Sequence, residues 1–450
     1  MKTSSSEIRL PKRQLVIFLA LIFFLNLVFI AGTWVFTWYY NSFTFVSREE
    51  FQVVFQKPTF LVLSQFNLAS ENVVATWYSS MLLLISGLGC LLCFISDTVS
   101  FTQAKEKALS YGWLGLSFIF ILLSVDEVGS FHETIGDSAV FSVFGNDFVW
   151  AAFYFLIALV GLYMVGFGLI RLRSNNIAFL ASAVGVLLFL SNPFQEYIEI
   201  KAYEEAANPA SWHRPIGLLL LEEGTELFGS WSFMLATFVY MSGSQRTTGE
   251  KKTGSVLGAF LPLPYSRKQF LGAILLVVCA LSLILATVLA YDQGPKDAEA
   301  GILENWFPSA LAFAVALFCF HKGTLKTISG SIYLALAILS MGISAFYGSN
   351  VFQYYFFWGT GLTFGLLFRA FMALTSFAIA MVLWRQASSP SSRITLLLWA
   401  LFLSAAFFIG RESSLEFVFI AYSLLALSLA SSFKQTLAAS PKPSVKVYKL

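Results

Sequence analysis

The chain has 450 residues, 57% of them hydrophobic and 12% charged, with a formal net charge of +3 and a mean hydropathy of +0.74. A soluble domain carries roughly 25% charged residues, so this composition excludes an ordinary water-soluble enzyme and points to a polytopic membrane protein. No phosphate-binding glycine loop or nucleic-acid signature is present, and no nucleic-acid partner is expected.

Lys2, Arg9, Lys12 and Arg13 precede an apolar run at 15–40. The run is long enough to cross a bilayer and no small-residue cleavage site follows, so it reads as a first transmembrane helix. Further apolar runs lie at 73–96, 110–132, 148–170, 177–199, 216–242, 269–291, 307–321, 328–347, 355–384, 394–411 and 415–433. Together they predict an all-α protein of about twelve spans. The run at 307–321 is short, and 394–433 is divided at Gly410–Ser414, so ten or eleven spans are the alternatives. Between the first two spans, FQVVFQ and FLVL read as short strands or an interfacial helix. The polar, basic stretch 246–268 divides a first membrane half, 1–245, from a second, 269–433, and a basic tail follows at 434–450. Each half has six spans, an organisation common in transporters. The segments LEEGTELFG and GRESSLEFV, in the last spans of the two halves, echo each other faintly.

Charge gives a separate test. With both termini cytoplasmic and twelve alternating spans, 21 of the 28 basic residues fall on the cytoplasmic side. That asymmetry is what the positive-inside rule predicts for the inner (plasma) membrane. Only Glu7, Asp97, Glu106 and Glu250 are acidic on that side. The 48 phenylalanines read as lipid contact and helix packing, and Cys90 and Cys93, although spaced C-x-x-C, as small buried hydrophobes.

The candidate functional residues are acids inside apolar spans. Glu222, Glu223 and Glu226 lie in LLLLEEGTELFG and share one helical face. A charge at membrane depth costs roughly 2.5–3.5 kcal/mol on insertion scales, so three together call for a function. Asp126, Glu127, His132 and Glu133 lie in SVDEVGSFHE. On a helix Asp126 and Glu133 share a face with His132 at its side, and Glu127 is marginal. At about 1.5 Å per residue, Asp126 lies roughly 24 Å along its outward-running span, and Glu222 and Glu226 roughly 9 and 15 Å below the outer surface. Glu196 and Glu199 reach the same level after Pro193, which should kink their helix, and His213 lies just before the sixth span. These depths converge on the outer leaflet. Arg369 sits near mid-membrane in the second half, placed to pair with an acid or to contact an anionic group.

A carboxylate cluster of this density needs protons, basic partners or a bound cation. Carboxylates with one or two His suit Zn, Fe or Mn. On that reading His132, Glu133, Glu223 and Glu226 are the metal ligands, Asp126 or Glu222 is the catalytic proton acceptor, and the substrate is lipid-linked or amphiphilic. The alternatives are a proton- or cation-coupled secondary transporter and a non-enzymatic scaffold. No H-E-x-x-H or G-x-S-x-G pattern is present to choose among them.

SVDEVGSFHE resembles the L-D-E-x-x-x-x-H-E segment of a loose group of bacterial multipass membrane proteins, and LLEEGTELFG resembles their E-E-x-x-E-x-x-G segment. The resemblance covers about residues 110–240. It implies that Asp126, Glu127, His132, Glu133, Glu222, Glu223 and Glu226 belong to one site, and it supplies no reaction. The alkaline ceramidase superfamily of seven-span zinc hydrolases is a more distant likeness. Its three-His requirement is hard to meet here, because His321 falls near the cytoplasmic end.

Overall fold

A computed structural model of the chain describes residues 12–43, 58–70, 73–101, 103–129, 146–204, 214–244, 306, 309–317, 319, 328–348, 373–384, 390–408, 418 and 420–425. Regular structure among the described residues is helical. The longer helices are α1 (Lys12–Asn41), α2 (Pro58–Ser64), α3 (Val74–Ser100), α4 (Ala104–Gly129), α5 (Asn146–Arg171), α6 (Asn176–Glu204), α7 (Ile216–Ser244), α8 (Ile328–Gly348) and α9 (Pro390–Phe408). FLVL falls in α2, which packs Phe60 on Phe36 of α1 at 5.3 Å between ring centroids. FQVVFQ and the expected span 269–291 lie outside the described residues.

Four described stretches are long and apolar enough to cross a membrane: Leu15–Asn41, Val74–Thr98, Ala104–Val128 and Asn176–Glu199. α7 has 29 residues, about 43 Å of helix, yet is not among them. Its composition explains why: three glutamates occupy its first third, and serine, glycine and threonine dilute the remainder. The chain divides into two compact units, Met1–Pro264 and Tyr265–Leu450.

In the first unit the long helices run alternately up and down, as the residue pairs between them establish. α1 is antiparallel to α7, with Trp231 Nε1 donating to the Leu19 carbonyl at 3.0 Å and Asn26 Nδ2 to that of Leu227 at 3.3 Å. α3 runs parallel to α7: Ser86 donates to the Ser230 carbonyl at 3.0 Å and Cys93 to that of Thr237 at 3.7 Å, each pair 144 residues apart. α4 returns along α3, α5 descends beside α4 with Tyr163 donating to the Gly112 carbonyl at 2.6 Å, and α6 rises between α5 and α7. Close packing and small polar bridges connect these helices, the contacts on which helices that span a membrane depend. Among the buried aromatics, Phe120 of α4 meets Phe233 of α7 at 4.8 Å. Large side chains such as Phe24, Leu162 and Leu187 are exposed on the outer faces, the arrangement a lipid solvent favours.

One packing device recurs in both units. Near the mouth of the α3–α4 hairpin, Ser80 and Ser124 each donate to the other's carbonyl, at 2.6 and 2.8 Å, with their hydroxyls 3.0 Å apart. In the second unit Ser309 and Ser344 of α8 repeat this, at 2.8 and 2.8 Å with hydroxyls at 3.0 Å. Trp77 and Trp306 stand three residues before the first serine of each pair, and Cys90 and Cys319 ten after it, all four buried. The matching spacing, burial and hydrogen bonds mark the two hairpins as versions of one motif.

Candidate functional site

Two polar clusters occupy opposite ends of the first unit. At the end formed by the last turn of α4, the upper part of α6 and the start of α7, Glu226 is half-buried and accepts a hydrogen bond from Asn192 Nδ2 at 2.8 Å. It also interacts electrostatically with Glu127, Glu223 and Asp126. Acids from α4 and α7 therefore share one site, although 95 or more residues separate them in the chain. Glu127, expected at the margin, is a neighbour of both Glu223 and Glu226.

A ladder of neutral polar groups leads away from Glu226 along the α6–α7 interface. Thr225 Oγ1 donates to Asn192 Oδ1 at 2.6 Å, and Gln195 Nε2 donates to Ser191 Oγ at 2.8 Å and to Thr225 Oγ1 at 3.3 Å. Pro193 lies inside α6 beside this ladder. It has no N–H, so the usual backbone bond to the carbonyl four residues earlier, at Phe189, is missing. Above the ladder, Arg214 bridges α6 and α7, with Nη2 2.7 Å from Glu199 Oε2 and an ion pair to Glu222. Its charge also reaches Glu223.

Other expected members lie outside the described residues. His132, Glu133, His213 and Arg369 are outside the described residues. Glu196 belongs to α6, but its side chain is likewise undescribed. Of the four expected metal ligands, Glu223 and Glu226 are described, and among the described residues no three His, Cys, Asp or Glu side chains are grouped closely enough to hold one ion.

The second cluster was not anticipated from sequence. Asp97, at the end of α3, is fully buried. Its Oδ2 accepts hydrogen bonds from Trp113 Nε1 of α4 at 2.9 Å and from Arg171 Nε and Nη2 of α5 at 2.9 and 2.5 Å. The hydroxyl of Tyr240, on α7, lies 3.0 Å from both carboxylate oxygens. Arg171 also donates from Nη1 to Glu106 Oε2 at 2.7 Å and sits 4.4 Å over the Phe101 ring. One carboxylate thus joins four helices. The available signal was an acid immediately after the apolar run 73–96, but that position at the run's end suggested a solvated charge.

Residues 15–241 match a domain of unknown function, DUF8692. No curated protein and no solved structure matches the chain. The matched stretch runs from the first turn of α1 to the last turn of α7 and takes in both polar clusters.

Proposed function

The chain belongs to the DUF8692 family, and from that premise we propose that it is a membrane protein whose Glu226 cluster takes up and releases protons or cations, as in coupled secondary transport. In this reading about twelve spans form two six-helix halves in the inner membrane, with both termini cytoplasmic. The observation that carries it is the set of electrostatic neighbours of Glu226: Glu127, Glu223 and Asp126, with the Asn192 amide as hydrogen-bond donor. Carboxylates so placed repel one another when all are ionised, so their charge state is coupled to any proton or cation that enters. The repeated serine hairpin supports the transporter form, because transporters are commonly built from internal repeats.

The chemistry at the site is exchange. An entering proton or cation screens Glu226 from Glu127 and Glu223, and its departure restores the repulsion. Asn192 holds the carboxylate in place by donating to it. Arg214, shared between Glu199 and Glu222, stands at the site's outer edge.

Carbodiimide modification tests this, since dicyclohexylcarbodiimide reacts from the lipid phase with protonated carboxyl groups. Peptide mass spectrometry of the reconstituted protein should find the adduct on Glu226 or Glu223, forming faster as pH is lowered from about 8 to about 5, and Glu226→Gln should abolish the Glu226 adduct. Absence of an adduct on either residue across that range overturns the proposal. Stoichiometric Zn, Fe or Mn in the purified protein would instead support a metal-dependent enzyme using His132, Glu133, Glu223 and Glu226.

A further inference from the structure

One polar atom at the α6–α7 interface is out of balance. Gln195 is 6% exposed, and its amide nitrogen is used twice, by Ser191 and Thr225. Its carbonyl oxygen Oε1 is buried and accepts from nothing. A buried polar atom without a partner costs about 1–3 kcal/mol, so it calls for an explanation. Hydrogen bonds link Gln195 through the hydroxyl of Thr225 and the amide of Asn192 to the carboxylate of Glu226. All four side chains offer hard oxygen donors, and Glu226 is the one carboxylate among them.

We propose that Glu226, Asn192, Thr225 and Gln195 form a binding site for a monovalent alkali cation, of which sodium is the physiological candidate. The inference rests on the cation-exchange reading above and narrows it to one chemical class. Hard cations take oxygen ligands, and with Glu226 the one charged group of the four the set matches a monovalent ion. Lack of a three-carboxylate or His-containing group among the described residues is compatible with this, since one acid is sufficient. A half-turn of the Asn192 amide would present its oxygen to Glu226, an arrangement favoured only with a cation between the two oxygens. Proton and sodium ion then compete for the same carboxylate.

Competition supplies the test, on the full-length protein in liposomes. Sodium chloride should slow carbodiimide modification of Glu226, by about tenfold at ten times its Kd, whereas choline chloride of equal ionic strength should not. Gln195→Leu, which removes the unpartnered oxygen, should abolish sodium protection, with an unchanged size-exclusion profile before reconstitution showing that the variant is folded. Gln195→Glu serves as a second variant and should retain protection. Equal rates in sodium and choline overturn the sodium site but leave the proton reading standing. Protection by calcium or magnesium and not by sodium also overturns it. Failure of Glu226 and Glu223 to react under any condition defeats both proposals.

Discussion

Two arginines, each tied to two carboxylates, differ in how deeply they are buried. The side chain of Arg171 is 6% exposed and that of Asp97 0%, whereas Arg214, Glu199 and Glu222 are 28%, 21% and 23% exposed. Removing one member of a buried pair strands the other and costs about 3–5 kcal/mol, while a wet pair contributes about 0–1 kcal/mol. Asp97→Ala should therefore lower the apparent melting temperature in detergent sharply. The double variant Asp97→Leu, Arg171→Met should lose less than Asp97→Ala, since the charge then left without Arg171, that of Glu106, is 36% exposed. Glu199→Gln should shift stability by less than about 1 kcal/mol. The glutamates of α7 were legible in the sequence because charge inside an apolar run stands out. Asp97 was not, because its partners lie 16, 74 and 143 positions away, and Asp97 and Arg171 both sit near helix ends, where charge is ordinary.

At the scale of the helix, small residues set how closely neighbours approach. A Cβ added at Gly185 of α6 would lie 2.8 Å from the Phe233 ring and 3.2 Å from the Gly229 carbonyl, both on α7. One at Gly166 of α5 would meet nothing within 4 Å. Alanine in a helix gains about 1 kcal/mol over glycine, whereas overpacking costs about 1–3 kcal/mol. Gly185→Ala should lower the melting temperature and Gly166→Ala should leave it unchanged or raise it. Pro193→Ala should restore a backbone donor to the Phe189 carbonyl, and sodium protection of Glu226 should weaken. Helix positions followed from the apolar runs: α1, α3, α6 and α8 lie where runs of 20–26 residues demanded them. Which helices touch did not follow. An apolar face looks the same whether lipid or another helix covers it, so the parallel pairing of α3 with α7 appears only in the fold.

For the whole molecule, the alternation of helices in the first unit groups Asp97, Glu106, Arg171 and Tyr240 at one end and Asp126, Glu199, Arg214 and Glu226 at the other. With the N-terminus cytoplasmic, Lys105→Cys should react with a membrane-impermeant maleimide only from the cytoplasmic side, and Lys201→Cys only from outside. Cys90, Cys93 and Cys319 are buried and should stay silent. Labelling of both positions from the same side would refute the alternating topology. The repeated serine hairpin was unreadable beforehand because its likeness is spread over Trp, Ser and Cys at wide spacing within apolar sequence that matches anything. Only the reciprocal hydrogen bonds distinguish those serines from their neighbours.

The knot around Asp97 has a mechanical consequence. Four helices pinned at one end by a water-excluded charge share a pivot there, and each becomes a lever for whatever happens at the other end. A tilt of about 5° about that pivot, along a helix of roughly 40 Å, displaces its far end by about 3.5 Å. That is the scale of a dehydrated ion.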